Sequence, residues 1–342
     1  MADLSWRTWA RRMALAATAA GMLFGAPAHA DPCQSGETVI RFSHVVTPAG
    51  NPKGDAAARL AARINAEMDG RACMQVFANA QLFDDDAVME ALLLGRVELA
   101  APSLAKLEAY TLKYRLFDLP FLFKDAAAVD RFLGSEAGGT LLGAMRDLGF
   151  RGLAYWNSGL KQFSANRPLL LPADAAGLKF RIQPSDVAEA MISALGGTAL
   201  RLPFRETRDA LASGQVDGQE NTWSNIYTQR FFAAQDGITE TNHQLLAYLL
   251  VTSESWLNSL PGATRDQFLA IVAEVSAEAN ASVQRIEREN RDRIVAAGVP
   301  IRALTSEQRQ VWVEAMRPVW ERFEGDIGRE LIDAALDANR ER

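Results

Sequence analysis

The chain has 342 residues, 49% of them hydrophobic and 23% charged, which excludes the collagen, coiled-coil and disordered classes. Its 36 Lys and Arg against 42 Asp and Glu give a net charge of −6, so no overall basic surface for nucleic acid is expected. Only three histidines and two cysteines occur, which disfavours a zinc site, and no other cofactor is predicted. At roughly 100–200 residues per domain, the length suggests two domains.

The first thirty residues have the three parts of a secretory signal peptide. Arg7, Arg11 and Arg12 precede an uncharged run at 13–27, which is followed by Ala28-His29-Ala30. The run is shorter than the about 20 apolar residues of a membrane-spanning helix, which disfavours the alternative of an N-terminal anchor. We therefore predict cleavage after Ala30 and export to the periplasm, by either the general or the twin-arginine route.

Export affects the interpretation of the two cysteines. Cys33 lies just after the predicted cleavage site, and Cys73 begins a predicted strand. Two such thiols can pair in an oxidising compartment. If the strands near 39–45 and 74–79 are parallel neighbours, a disulfide between these cysteines ties down the new N-terminus. The alternative is two independent thiols, with Cys73 buried.

Short apolar runs alternate with amphipathic stretches along most of the chain. The pattern predicts strands at 39–44, 74–78 and 99–103, with helices at about 54–68 and 85–94. It predicts further strands at 152–156, 178–182 and 200–203, with helices at about 185–195 and 205–212. This alternation is typical of βαβ units and parallel sheets.

After Pro261 the pattern becomes helical. One long helix is expected to run to about Ala297, where Gly298 and Pro300 interrupt it. A second helix is expected over about 306–339, because Thr305-Ser-Glu-Gln308 forms a capping box.

The fold class predicted from these elements is α/β, with two parallel-sheet lobes, a hinge and long C-terminal helices. The chain is expected to leave the first lobe near Trp156 and to return to it near Tyr248. The predicted domains are the signal peptide at 1–30, lobe I at 31–158 with 247–286, and lobe II at 159–246 with 287–342. Ligands of open α/β sheets bind beyond the carboxyl ends of the strands, so the expected binding site is the cleft between the lobes.

Motifs for catalysis are scarce. Ser103 and Lys106 match the S-x-x-K spacing of penicillin-binding enzymes, but the S-D-N and K-T-G elements that accompany it are missing. The chain also lacks a G-x-S-x-G elbow, a phosphate-binding P-loop and a G-x-G-x-x-G turn. His44 and His243 have no nucleophile near them in the sequence. The prediction is a protein that is not an enzyme, and a secreted hydrolase using Ser103 and Lys106 is the disfavoured alternative.

Six blocks of sequence resemble the substrate-binding proteins of TRAP transporters, and the branch that binds four-carbon dicarboxylates is most similar. The blocks are FSHVV at 42–46 with PKG at 52–54, APSLAK at 101–106, FDLPFLFK at 117–124, SAN at 164–166, GLKFRIQ at 177–183 and VDGQEN at 216–221. They occur in the family's order and cover essentially the whole mature chain. The resemblance implies a two-lobed fold with a hinge, capture of an organic acid, delivery to TRAP permease subunits, and no cofactor.

The resemblance places the family's carboxylate clamp at Arg181. A guanidinium is a planar, two-pronged donor that fits a carboxylate, whereas without the motif a surface arginine on a strand edge is the simpler interpretation. Asn221 is expected to donate its amide to the same carboxylate, the alternative being a turn asparagine after Gly218. Lys161 is expected to supply a second cation, because a buried carboxylate without a partner is costly.

The remaining candidates come mostly from the resemblance. His44, Ser103 and Lys106 are expected at the far end of the ligand, and Phe204 against its body. After Glu220-Asn221 many members of the family have proline, whereas this chain has Thr222-Trp223, and Trp223 is expected to add bulk near the clamp.

One further departure from the family limits the prediction of the ligand. The dicarboxylate branch usually reads Trp-Asp-Asn/Glu-Gly after the fifth strand, whereas this chain reads Trp156-Asn-Ser-Gly159. An aromatic or branched acid therefore stays open beside malate or succinate. The protein is expected to be a monomer, and a receptor subunit that senses its ligand is the alternative within the binding proteins.

Overall fold

The computed structural model describes residues 33–340, so the predicted signal peptide lies outside the described residues. The strands are β1 Thr38–Ser43, β2 Ala72–Phe77, β3 Leu99–Ala100, β4 Phe150–Leu160, β5 Gln162–Ala165, β6 Lys179–Ile182, β7 Thr198–Arg201, β8 Gly218–Asn221, β9 Gly237–Glu240, β10 Leu245–Ser253 and β11 Ile301–Ala303. The helices are α1 Pro52–Glu67, α2 Val88–Leu93, α3 Ala126–Leu133, α4 Glu136–Leu142, α5 Asp186–Ala194, α6 Thr207–Ala212, α7 Trp223–Thr228, α8 Glu254–Ser259, α9 Gly262–Ala296, α10 Ser306–Ala315, α11 Arg317–Ile327 and α12 Arg329–Asp337. Within residues 33–340, none of the helices combines the length and the apolar character that spanning a membrane requires.

The first sheet has the strand order β2-β1-β3-β10-β4, and we call the part of the protein built around it lobe I. The predicted βαβ units account for β1, β2 and β3, which are parallel. The sheet is mixed rather than wholly parallel, because β10 pairs antiparallel with both β3 and β4. The chain leaves lobe I along β4 and returns along β10, so these two strands run in opposite directions.

The second sheet has the strand order β11-β9-β5-β8-β6-β7, and we call the part built around it lobe II. Strands β6, β7 and β8 are parallel neighbours, as expected for βαβ units. Strand β5 pairs antiparallel with β8 and β9, so this sheet is mixed as well. The two-lobed α/β class is confirmed, and the prediction of purely parallel sheets is wrong because both crossings insert antiparallel strands.

Two short segments carry the chain between the sheets. Lys161 alone separates β4 from β5, and residues 241–244 separate β9 from β10. The segments are bonded to each other, since Lys161 N–H donates to the Gln244 carbonyl at 2.7 Å and His243 N–H donates to the Lys161 carbonyl at 3.2 Å. The crossings therefore lie between the predicted positions, Trp156 and Tyr248. The lobe boundaries at 158/159, 246/247 and 286/287 stay a prediction.

Helix α9 has 35 residues and ends at Ala296, in agreement with the predicted long helix. Phe268 and Val275 near its start pack into the core of lobe I, whereas Ile294 near its end packs into a core of lobe II. The helix therefore contributes to both lobes.

The predicted second C-terminal helix is three helices, α10, α11 and α12. The capping box at Thr305 and Gln308 begins α10 as expected. Gly328 has a φ of 95°, which interrupts the helical conformation between α11 and α12. Trp312 of α10 and Phe323 of α11 lie in an apolar core that also contains residues of both sheets. One end of the lobe interface is therefore apolar.

Cys33 and Cys73 are joined by a disulfide, with their Cα atoms 5.4 Å apart. Cys73 lies on β2 opposite Val39 of β1. The bond thus attaches the first described residue to the edge strand of lobe I.

Candidate functional site

A cavity of about 20 Å³ lies where the carboxyl ends of the strands of both lobes face each other. Its walls come from loops after β1, β2, β3, β6 and β7, from the end of β8, from α7 and from β10. The lining residues are Val45, Val46, Asp85, Lys106, Arg181, Gln183, Phe204, Asn221, Asn225, Leu246 and Tyr248. This is the position at which open α/β sheets bind their ligands, and it includes four residues predicted from the sequence.

Arg181 lies on β6 and is fully buried, with none of its surface exposed. Its Nε and Nη2 both donate to the carbonyl of Leu202, at 3.1 and 2.9 Å. Nη1 is buried without a hydrogen-bond partner. Burial lowers the pKa of Arg181 to about 10 even though Glu220 and Asp85 act in the opposite direction. The guanidinium is therefore held in place on one side and lacks an acceptor on the other.

Phe204 lies beside this arginine, with its ring centroid 5.9 Å from Arg181 Cζ. It also packs edge-on against Phe231 in lobe II. Phe204 therefore lines the cavity, and its expected contact with the body of the ligand stays a prediction.

Asn221 ends β8, next to the strand that carries Arg181. Its Oδ1 accepts hydrogen bonds from Thr222 N–H at 3.1 Å and from Asn225 Nδ2 at 2.7 Å. Because these bonds use the oxygen, the amide nitrogen of Asn221 is left to donate toward the cavity that it lines. Asn225 is missing from the sequence prediction, and its Oδ1 accepts a 2.7 Å bond from Asn51 of lobe I.

A buried lysine of lobe I, Lys53, lies behind the wall opposite Arg181. Its Nζ donates to the carbonyl of Ala101 at 3.0 Å and lies 3.6 Å from the ring centroid of Tyr248. Burial lowers the pKa of Lys53 to about 8, while Asp85 acts to raise it and Lys106 to lower it. Lys53, Asp85 and Tyr248 were not predicted as site residues, although PKG at 52–54 had contributed to the resemblance.

His44 and Ser103 lie one layer behind the cavity. Ser103 N–H donates to Asp85 Oδ2 at 3.3 Å. The backbone of Ser103 also forms an isolated antiparallel β-bridge with Tyr248. Its hydroxyl and both ring nitrogens of His44 are buried without hydrogen-bond partners. Burial, followed by the charge of Lys53, lowers the pKa of His44 to about 3, so the ring is neutral at neutral pH.

Lys106 lines the cavity, but its Nζ is paired with Asp86 at 2.7 Å. The hydroxyl of Ser103 makes no hydrogen bond to Lys106. The S-x-x-K spacing therefore does not assemble the Ser–Lys contact that a hydrolase of that kind needs.

Lys161 is not among the residues that line this cavity, and its expected contact with the ligand stays a prediction. Its Nζ lies 2.9 Å from Glu220 Oε2 and donates to Gln244 Oε1 at 2.8 Å. Both charged side chains are almost fully buried, and His243 stacks on Phe163 beside them. The lysine neutralises an acid of lobe II at the crossing point, because a buried charge requires a partner.

Trp223 is not among the residues that line the cavity around Arg181, and its expected bulk near the clamp stays a prediction. It begins α7 and lines a separate cavity of about 290 Å³ together with Gly159, Glu287 and Arg291. The backbone N–H of Trp223 donates to Glu287 Oε2 at 2.8 Å, and the backbone N–H of Ser224 donates to Glu287 Oε1 at 3.0 Å. The side chain of Trp223, two residues after Asn221, thus lies beside the crossing strands β4 and β5.

A larger groove, of about 660 Å³, lies between α4 and α12. Its charged lining is Lys113 against Glu136, Glu330 and Asp337, which is a poor match for an anion. Among residues 33–340, the cluster with metal-ligand residue types is Cys33, Glu37 and Cys73, and its cysteines are joined to each other. The buried, unpaired donors around Arg181 make the smaller cavity the better candidate, since they suit a ligand rich in acceptor oxygens.

Comparison with known proteins agrees with this geometry. Residues 42–326 match the family model of DctP, described as the bacterial extracellular solute-binding proteins, family 7. The chain is 55% identical over 317 residues to the C4-dicarboxylate-binding periplasmic protein DctP of Vibrio cholerae serotype O1, covering 93% of this chain and 95% of that one.

Two solved structures of TRAP periplasmic solute-binding proteins are similar throughout. One, from Shewanella oneidensis with bound succinate, is 42% identical with a TM-score of 0.87, covering 89% of this chain and 100% of that chain. Another, from Pseudomonas aeruginosa with bound L-malate, is 42% identical with a TM-score of 0.81, covering 83% of this chain and 99% of that chain. The chain belongs to the DctP family, family 7 of the bacterial extracellular solute-binding proteins.

Proposed function

We propose that this protein is the periplasmic receptor of a TRAP-type secondary transporter, which captures a four-carbon dicarboxylate between its lobes and delivers it to the permease. The observation that carries this proposal is Arg181, a buried guanidinium anchored on one side with a donor left unpaired on the other. Similar proteins that bind succinate, L-malate or C4-dicarboxylates support the choice of ligand. Capture requires no chemical step from the protein.

The two walls of the cavity suit the two ends of such a ligand. Arg181 and the amide of Asn221 would hold one carboxylate from lobe II. The second carboxylate would lie toward Lys53, Ser103 and His44 of lobe I, where unpaired donors are buried. Because each lobe would hold one end, the ligand binds fully only when the lobes meet, and this differential affinity favours closure.

The size of the cavity implies movement. About 20 Å³ is close to the space that one water molecule requires, and a four-carbon dicarboxylate is larger. The walls must therefore move apart to admit the ligand and then close over it. The predicted signal peptide would bring the chain to the periplasm, where the permease can meet it.

The test is a thermal-shift screen of the full chain, expressed with its own N-terminus, against four-carbon dicarboxylates, sugar acids, branched 2-keto acids and aromatic acids. A ligand at 100 times its dissociation constant stabilises the folded state by about 2.7 kcal/mol. We expect succinate, fumarate or L-malate to stabilise the wild type, and Arg181→Ala to abolish the shift. Stabilisation by aromatic acids alone, or an unchanged shift in Arg181→Ala, would contradict the proposed ligand and site.

A further inference from the structure

Asp84 and Arg205 form an ion pair beside the cavity, between segments that follow strands of different sheets. Arg205 Nη1 lies 2.8 Å from Asp84 Oδ2. Asp84 follows β2 of lobe I, and Arg205 follows β7 of lobe II. The next residue in one segment, Asp85, and the preceding residue in the other, Phe204, both line the cavity. The pair therefore joins the two lobes at the outer wall of the binding site.

The geometry of Asp84 prepares its carboxylate for this contact. Its Oδ1 accepts the backbone N–H groups of Asp86 and Ala87, at 3.2 and 3.1 Å, so the side chain is fixed before Arg205 arrives. Partial burial acts to raise the pKa of Asp84, but the bonds from Ala87 and Arg205 outweigh it and lower the pKa. Asp84 is therefore charged at neutral pH, with its second oxygen left for the arginine.

The two ends of the lobe interface differ in how much apolar surface they share, although the far end also carries contacts from Ser185 to Asp118 and from Arg115 to Asp186. At the far end, Phe117, Phe180, Trp312 and Phe323 share one apolar core, and separating them would expose apolar surface to water. At the cavity the lobes meet through polar pairs, Asp84 with Arg205 and Asn51 with Asn225. Polar groups exchange their partners for water at little net cost. Opening is therefore easiest at the edge where the ion pair lies.

We propose that Asp84 and Arg205 are positioning residues that clasp the lobes over the captured ligand and slow its release, although neither holds the ligand. This inference rests on the proposed function. A contact made only in the closed form stabilises that form alone. Release requires opening, so losing the contact raises the dissociation rate. Exposed ion pairs contribute about 0.2–1 kcal/mol, which corresponds to a change of about 1.4- to fivefold.

The experiment measures succinate and L-malate release from the full chain by stopped-flow tryptophan fluorescence. Asp84→Asn and Arg205→Gln should each raise the dissociation rate about 1.4- to fivefold at low salt, and the effect should shrink at 0.5 M salt because screening weakens an exposed pair. The double variant Asp84→Asn with Arg205→Gln should release no faster than either single variant, because the same contact can be lost only once. Arg285→Gln, which breaks an exposed ion pair with Glu289 within α9, is the matched control and should leave release unchanged.

Three results would overturn the clasp while leaving the proposed function intact. They are release at the wild-type rate in both single variants, an equal acceleration in Arg285→Gln, and a double variant whose acceleration is the product of the two single effects. If Arg205 only attracts anions, the single variants would change the association rate in opposite directions and release would not change. Failure of the wild type to bind either dicarboxylate would instead overturn the proposed function, and the clasp with it.

Discussion

Replacing Arg181 by lysine tests the candidate site most directly, because it keeps the charge and removes the fork. In the wild type, Nε and Nη2 are both occupied by the Leu202 carbonyl, and Nη1 is unpaired and buried. Lysine has a single side-chain nitrogen. It cannot replace the Nε and Nη2 bonds to the Leu202 carbonyl and also present the N–H groups of Nη1 to a carboxylate in a fixed plane. The substitution should therefore weaken ligand binding more than it weakens folding.

The expected magnitude follows from the hydrogen bonds that are lost. A hydrogen bond to a charged group contributes about 1.5–3 kcal/mol. Losing one such bond to the ligand, together with part of the anchor on Leu202, should cost about 2–3 kcal/mol of binding free energy. At about 1.4 kcal/mol per tenfold change, the dissociation constant for succinate or L-malate should rise about 30- to 150-fold.

Isothermal titration calorimetry of the wild type and Arg181→Lys gives this ratio. Arg201→Lys is the matched control, since Arg201 is on the adjacent strand opposite Ile182 but pairs with Asp186 and Glu189 in partly exposed positions. We expect Arg201→Lys to stay within about twofold of the wild type, as is usual for exposed pairs. A dissociation constant for Arg181→Lys within threefold of the wild type would refute the assignment of Arg181 as the clamp.

Three further predictions concern stability. Burial raises the pKa of Glu287 to about 7, so its contribution to stability is present below pH 4.5 and is lost as the pH rises through 7. Between pH 4 and pH 8, the unfolding free energy of the wild type in urea should fall by on the order of 3 kcal/mol relative to that of Glu287→Gln. An equal difference between the two proteins at both pH values would contradict this. Reducing the bond between Cys33 and Cys73, which are 40 residues apart, should cost about 4 kcal/mol of unfolding free energy and leave ligand affinity unchanged; an unaltered unfolding midpoint would count against it. Glu220→Gln should cost about 3–5 kcal/mol because it leaves Lys161 buried without its counter-charge, whereas adding Lys161→Met should recover part of that loss in the same urea assay.

The local order of the chain was predictable because it depends on nearby residues. The alternation of strand and helix near β1, α1 and β2, the length of α9 and the capping box at Thr305 all follow from short-range patterns. The antiparallel pairing of β10 was not predicted. A continuous apolar sequence indicates a buried strand, but it does not indicate which strand lies beside it or in which direction the two pair. Gly328, which breaks the last predicted helix, was visible in the sequence, but a glycine inside a helical pattern is often tolerated.

The candidate site was predictable only where one residue type carries the chemistry. Arg181 is recognisable because a motif on one strand places it, and the structure lines the cavity with it. The contact of Lys161 with Glu220 was not predicted, because Glu220 lies 59 residues later and only the pairing of β5 with β8 brings the two together. Lys53 was overlooked for the same reason: its contact with Tyr248 depends on how α1 packs beside β10.

The cavity combines charges and donors that the protein itself leaves uncompensated when the lobes are closed. Burial lowers the pKa values of Arg181 to about 10 and of Lys53 to about 8, so enclosing these cations is unfavourable. Unpaired atoms of Ser103 and His44 add to that penalty. A ligand with a carboxylate at each end supplies acceptors to both walls, so it offsets this penalty in the closed form. A neutral molecule of the same size would fill the same space without relieving it, and should therefore fail to hold the lobes together.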